Sequence, residues 1–226
     1  MAKPTMSEAD HKLVSDAVAA AEAQSAGEIV TIVTPRSDSY HDVALVWSAL
    51  VAFAALCALE IAPLFYLELV ERLLGLWAHE WSPRAVLGLA LTVAALKFGG
   101  MYLLMRFTPL GRWLTPRRVR NGRVRERALT CFRVGAESRT SGRTGVLIYL
   151  SLAEHRAEII ADAAIASKVS PETWGIAMKA MLDPLRQGQM AQGMAAAVAE
   201  VGKVLTEHFP RSDDDVNELP DRLIEV

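Results

Sequence analysis

Between Val43 and Leu59 the chain carries no charged residue, and its apolar character continues past Glu60 through Leu67. No other feature restricts the possible folds so strongly. A helix rises about 1.5 Å per residue, so roughly 20 apolar residues cross the ~30 Å hydrocarbon layer of a bilayer. A second stretch, "AVLGLALTVAALKFGGMYLLM" from Ala85 to Met105, is long enough to do the same and holds one charge, Lys97. Between them, "LELVERLLGLWAHEWSP" is amphipathic and places Glu80 between Trp77 and Trp81, as expected of a short helix at headgroup depth. Trp47, Tyr102 and Trp113 would form the belt at the opposite surface. The pattern predicts a two-helix membrane hairpin over residues 43–114, with spans at about 44–67 and 85–107.

Arginine distribution orients that hairpin. The segment after the second span carries Arg106, Arg112, Arg117, Arg118, Arg120, Arg123, Arg125 and Arg127, whereas the connector before it has only Arg72, with Arg84 at its edge. Positive flanks stay on the cytoplasmic side, so both ends of the hairpin are expected there. The opening "MAKPTMSEADHKLVSDAV" lacks the apolar stretch of a signal peptide, which agrees with a cytoplasmic N-terminus. The expected arrangement is a multi-pass membrane protein with both termini cytoplasmic. Arg112, Arg117, Arg118, Arg120 and Arg123 are the expected contacts to anionic lipid headgroups. Glu60 and Lys97 are charged residues at membrane depth, a position that often marks function. Counted from the cytoplasmic edge, Glu60 lies ~24 Å in and Lys97 ~15 Å in, so separate snorkelling toward opposite surfaces is expected rather than a direct pair.

The water-soluble parts flank the hairpin. Residues 7–25 place Leu13, Val14, Ala17, Val18 and Ala21 on one helical stripe, and Ser7 with Asp10 resembles a capping box. "EIVTIVT" alternates as a strand and stops at Pro35. One helix and one strand cannot bury a core alone. The missing pieces come after the hairpin. "VRERALTCFRVGAE" reads as a helix with Val124, Leu129 and Phe132 inward, and "GVLIYLSL" as a central strand. "HRAEIIAD" then forms a hairpin through a turn at Ala153–Glu154. A helix follows from Ser170 as N-cap and Pro171 at its first position, and a last one, "MAQGMAAAVAEVGKVLTEHF", ends before Pro210. The acidic tail "RSDDDVNELPDRLIEV" reads as partly extended. Residues 1–42 and 115–226 are thus expected to form one discontinuous cytoplasmic domain. Its fold class is α/β, a small mixed sheet sandwiched by helices, with the hairpin inserted after the first strand.

Recognisable chemistry is sparse. The net charge of −2 argues against general nucleic-acid binding. The two cysteines, Cys57 and Cys131, form no C-x-x-C pair. His11, His41, His79, His155 and His208 lack any metal-binding spacing, so no metal site and no cofactor are expected. "AESRTSGRTG" is a basic loop without phosphate-loop spacing, and Asp213–Asp215 lack the alternation of a calcium loop. Glu28, Glu154 and Asp162 fall at strand ends. They are the candidate catalytic carboxylates if a cleft gathers them.

The segments "SAGEIVTIV", "RTGVLIYLSLAEHRAEIIAD" and "MLDPLRQGQMAQGMAAAV", the last with Gly188, Gly193 and Met194, resemble the TPM domain family. The resemblance covers about residues 7–35 and 120–210, and is nearest to the bacterial branch with a transmembrane hairpin inside the domain. It implies an αβα sandwich. Family members include described phosphatases, binders of divalent cations, and factors that assist assembly of membrane complexes. This chain departs from the commoner pattern at "CFRVGAESRTSG" and at the alanine-rich "IIADAAIASKV", which weakens the expectation of a cation site. The reading that follows is a membrane-tethered interaction or assembly module. Its expected partners are the bilayer and a membrane protein, and self-association is compatible with it. The alternative is a membrane-bound phosphatase-like hydrolase.

Overall fold

The computed structural model describes residues 6–75, 81–137, 144–170, 172–211 and 222–226. Contacts divide the chain into two compact units. One joins the residues up to Asp38 with those from Arg118 onward, and the other is Ser39–Arg117.

The first unit is built on a four-stranded sheet of order β3-β2-β1-β4. Its strands are β1 (Glu28–Thr34), β2 (Gly145–Ser151), β3 (Arg156–Ala161) and β4 (Leu223–Glu225). β1 pairs parallel with β2 from Glu28 opposite Gly145 to Thr34 opposite Ser151, so the chain closes the sheet across the whole inserted segment. β2 and β3 form the expected antiparallel hairpin, with the turn spanning Leu152–His155. Every residue of β1 and β2 is buried, which explains why "GVLIYLS" reads as almost continuously apolar.

Alternate residues of the strands face two helical layers. Ile29, Val33, Val146, Ile148 and Leu150 pack under α1 (Glu8–Glu22), α8 (Thr173–Arg186) and α9 (Met190–His208), with Val14, Val18, Met181, Met194 and Leu205 as counterparts. Val30, Ile32, Leu147, Tyr149 and Ile160 face α6 (Arg117–Phe132) through Val124, Ala128 and Phe132. Leu129 is partly buried on the same side. A five-residue π-helical turn, Arg133–Glu137, follows α6, and α7 is the short Ala163–Ala166. At the start of α1, Ser7 Oγ accepts from the Asp10 amide at 3.2 Å and the Asp10 carboxylate accepts from the Ser7 amide at 3.0 Å, the reciprocal cap expected from the sequence.

Two local expectations change. Helix α8 begins at Thr173 with Glu172 at the N-cap, not at Ser170; Ser170 Oγ instead meets Thr173 Oγ1 at 3.2 Å, and Pro171 lies outside the described residues. The acidic tail ends in a true strand, β4, parallel to β1 at Thr31–Val33, so the sheet has a fourth member.

The second unit contains α2 (His41–Ile61), α3 (Pro63–Leu74), α4 (Pro83–Phe107) and α5 (Leu110–Leu114). The apolar run does not continue as one helix to Leu67. Proline lacks the amide that would extend α2, so the chain breaks at Ala62 and Pro63 starts α3 at its first turn. Helices α2 and α4 lie against one another, and Tyr102 OH and Arg106 Nη1 approach the two ring nitrogens of His41 at 3.5 and 3.4 Å. Both are long and apolar enough to cross a membrane, and 0% of the most apolar window of α4 is buried, whereas a core helix of a water-soluble protein would be mostly covered. Phe53, Leu87, Leu91 and Leu96 point outward. Trp81 Nε1 donates to Glu71 at 2.7 Å; Trp77, His79 and Glu80 lie outside the described residues.

Candidate functional site

Because β1 and β2 are parallel, their carboxyl ends emerge side by side, the usual place for a site in such sheets. A chain of polar groups gathers there. Tyr149 and Ser151 sit two residues apart on β2 and so share a face. Ser37, just past β1, brings its hydroxyl within 3.0 Å of Tyr149 OH and donates to Ser151 Oγ at 2.8 Å. Ser151 Oγ donates to Glu154 Oε2 in the β2–β3 turn, and the Ser37 amide donates to the same oxygen at 3.2 Å. One residue further, Asp38 pairs with Arg123 of α6 at 3.2 Å. Glu158 lies opposite Tyr149 and pairs with Arg156 at 2.9 Å and Arg125 at 3.4 Å.

Burial raises the Tyr149 hydroxyl above its ordinary value. The bond to Ser37 and the nearby Arg127 oppose the rise, while Cys131 and Glu154 add to it. Burial likewise raises the Cys131 thiol, against the pull of Arg127. Both groups are therefore held in their neutral forms. Ser151 against Glu154 has the hydroxyl–carboxylate element of an activated nucleophile. Yet Glu154 also accepts from the Ser37 amide, and the Ser37 hydroxyl reaches Ser151, so the same groups tie down the exit of β1. The arrangement works as a clasp. Ser37, Asp38 and Arg123 hold the points where the chain leaves and re-enters the domain.

Glu28 and Asp162 lie at the other end of the sheet. Glu28 stands opposite Gly145, whose carbonyl accepts the Asp162 amide at 2.9 Å. Asp162 Oδ1 caps α7 by accepting from the Ala163 amide at 2.7 Å, and its Oδ2 is buried without a partner among the described residues. Seven residues of strand, roughly 20 Å at ~3.3 Å each, separate this end from Glu154. The three carboxylates thus fall into a pair and a distant single. Among the described residues no group of three or more His, Cys, Asp or Glu is placed to hold a metal ion.

The histidines are dispersed: His11 pairs with Glu225 at 3.0 Å, His41 lies in α2, His155 closes the β2–β3 turn, and His208 ends α9. The basic loop at residues 138–143 and Asp213–Asp215 lie outside the described residues. In the helical unit Glu60 is exposed in the last turn of α2 and Lys97 exposed in α4, with no ion pair between them. Arg117 and Arg118 are exposed; Arg112, Arg120 and Arg123 are partly buried, and Arg123 is held by Asp38. Ser37, Tyr149 and Ser151 are functional candidates that sequence reasoning passed over. The available signal was a Tyr and a Ser on one face of a buried strand, where polar atoms require partners.

Residues 114–204 match the TPM domain family. The chain carries a TPM domain. The fold agrees with a solved structure, that of the BA42 protein from the psychrophilic bacterium Bizionia argentinensis, determined by NMR. The two align over 100% of this chain and 99% of the other with a TM-score of 0.57 and 17% identity, which establishes the shared fold and nothing finer. No curated protein matches the chain. The matched segment of the TPM domain runs from the end of α5 to within α9 and so includes β2, β3 and the turn that bears Glu154.

Proposed function

We propose that this chain is a membrane-tethered TPM domain that works as an interaction and assembly module for a membrane complex. In this reading α2 and α4 anchor it in a bacterial inner membrane, and the TPM domain and both termini stay cytoplasmic. Arg112, Arg117, Arg118 and Arg120 meet anionic headgroups, at about 1 kcal/mol per basic residue near the surface. Arg123, already paired with Asp38, contributes to the clasp more than to lipid. The observation that carries the reading is the separation of the acids. Catalysis or cation binding needs carboxylates converging in a cleft, and Glu28 with Asp162 stand a full strand length from Glu154; Glu154 holds the Ser37 amide and Asp162 caps α7. The hydrolase alternative rests on the Ser151–Glu154 contact alone.

Two measurements test this. Single cysteines replacing Glu80 and Arg123, in a background lacking Cys57 and Cys131, are exposed to an impermeant maleimide in intact cells. Labelling at 80 and not at 123 is expected, and the reverse pattern removes the proposed topology. The purified full chain is then assayed for phosphatase turnover, with and without divalent cations, beside Glu154→Gln and Ser151→Ala variants. No turnover above the variants is expected. Robust hydrolysis lost in either variant establishes the hydrolase reading instead.

A further inference from the structure

Strand β1 is central in the sheet, yet its outer edge is closed by a very small piece of chain. The Ile29 amide donates to the Glu22 carboxylate at 2.8 Å, which seals the first part of that edge. Beyond it, β4 pairs only at Thr31, Ile32 and Val33. The Val226 amide donates to Val33 O at 3.1 Å, and Thr34 Oγ1 donates to Val226 O at 2.8 Å. Side chains read the segment in order. Leu223 is buried in the main core, Ile224 packs on the α6 side, and Glu225 Oε1 accepts from the Met6 amide at 3.1 Å and meets the His11 ring at 3.0 Å. The edge therefore recognises an apolar residue, a second apolar residue and an acid, with a backbone donor and an imidazole placed for the acid.

We propose that the outer edge of β1, together with the first turns of α1, is a strand-acceptor site for an extended apolar–apolar–acidic segment of a partner protein, and that residues 222–226 fill it in cis as a displaceable plug. Strand addition of this kind takes affinity from main-chain bonds and specificity from alternate side-chain pockets. The plug supplies both features and so displays the ligand chemistry directly. Its short pairing makes it replaceable. Because the plug belongs to the same chain, it competes intramolecularly, which a partner must overcome or bypass. The inference deepens the interaction-module reading by naming the chemistry of the partner, and rests on it. Strand exchange can still fail while the membrane tether and the absence of turnover stand.

The test uses the full chain in detergent and a fluorescein-labelled Asp-Arg-Leu-Ile-Glu-Val peptide, followed by fluorescence polarisation. Three forms are compared: wild type, Leu223→Asp, whose plug cannot bury its first residue, and an oxidised Ile32→Cys/Ile224→Cys lock in a Cys57→Ser/Cys131→Ser background. Ile32 and Ile224 are register partners, so the cysteines face each other across the pair. The peptide is expected to bind Leu223→Asp at least 10-fold more tightly than wild type, and not to bind the oxidised lock until it is reduced. Replacing the peptide's Glu by Gln should weaken binding to the open variant at least 5-fold. Equal binding to all three forms, or none to a cooperatively folded Leu223→Asp, overturns the proposal. Should Leu223→Asp fail to fold, hydrogen exchange in the wild type decides. The Val226 amide should exchange at least 100-fold faster than that of Leu147, and equal rates would mean that the plug opens only on global unfolding, which also overturns it.

Discussion

Cutting the chain between the two segments that make up the sheet-bearing unit should abolish folding of the larger one. A fragment of residues 118–226 keeps β2, β3, α6, α8 and α9 but loses α1 and β1. With them go Val14, Val18, Ile29, Val30, Ile32 and Val33, all buried. At about 1.5–3 kcal/mol per buried aliphatic side chain, these six contribute about 9–18 kcal/mol. Residual burial in the unfolded chain trims such sums by as much as ~40%, which leaves roughly 5–11 kcal/mol. That equals the whole stability of a typical domain, about 5–15 kcal/mol, before counting the seven-residue ladder between β1 and β2. The fragment should therefore show no cooperative urea transition by circular dichroism and no protected β2 amides by hydrogen exchange. Adding a peptide of residues 6–38 in trans should restore both. Cooperative unfolding of 118–226 alone, unchanged by the peptide, would refute the argument and make the two segments independent.

Three further outcomes follow from the same core. Gly193→Ala should destabilise by about 1–3 kcal/mol in urea titration, because the new Cβ would stand 2.8 Å from the Met181 carbonyl oxygen and force α8 from α9, which outweighs the ~1 kcal/mol gain in helix propensity. Met181→Ala, at a fully buried position, should cost about 2–5 kcal/mol in the same assay. Tyr149→Phe should alter the alkaline limb of stability. The folded state raises this hydroxyl, so its contribution is complete below the usual tyrosine value of about 10 and declines as pH rises through the higher folded value. Thermal melts from pH 8 to 11 should fall more steeply for wild type than for Tyr149→Phe, and parallel curves would contradict the assignment.

Much of this architecture is legible in local pattern. The uncharged run at Val43–Leu59 and the stretch Ala85–Met105 identify two long apolar helices because length and polarity alone set that property. The Ser7–Asp10 cap and the continuous apolar strand at Gly145–Ser151 are local as well, since a capping bond spans three residues and a doubly covered strand needs apolar groups on both faces. Pro63 was a readable break that the apolar composition around it obscured. What pattern could not supply was convergence. Glu28, Glu154 and Asp162 all read as strand-end acids, and only the parallel register of β1 on β2 decides that two stand at one end and the third at the other. The same register brings Ser37 to Tyr149, Ser151 and Glu154 across more than a hundred residues of chain. The three-residue strand β4 is too short to carry a periodic signal, so its place depends on the exposed edge of β1, the pocket for Leu223 and the donors for Glu225. Sequence determines what each segment can be; pairing across the inserted helices determines which side chains meet, because those contacts draw their free energy from burial that no single segment achieves alone.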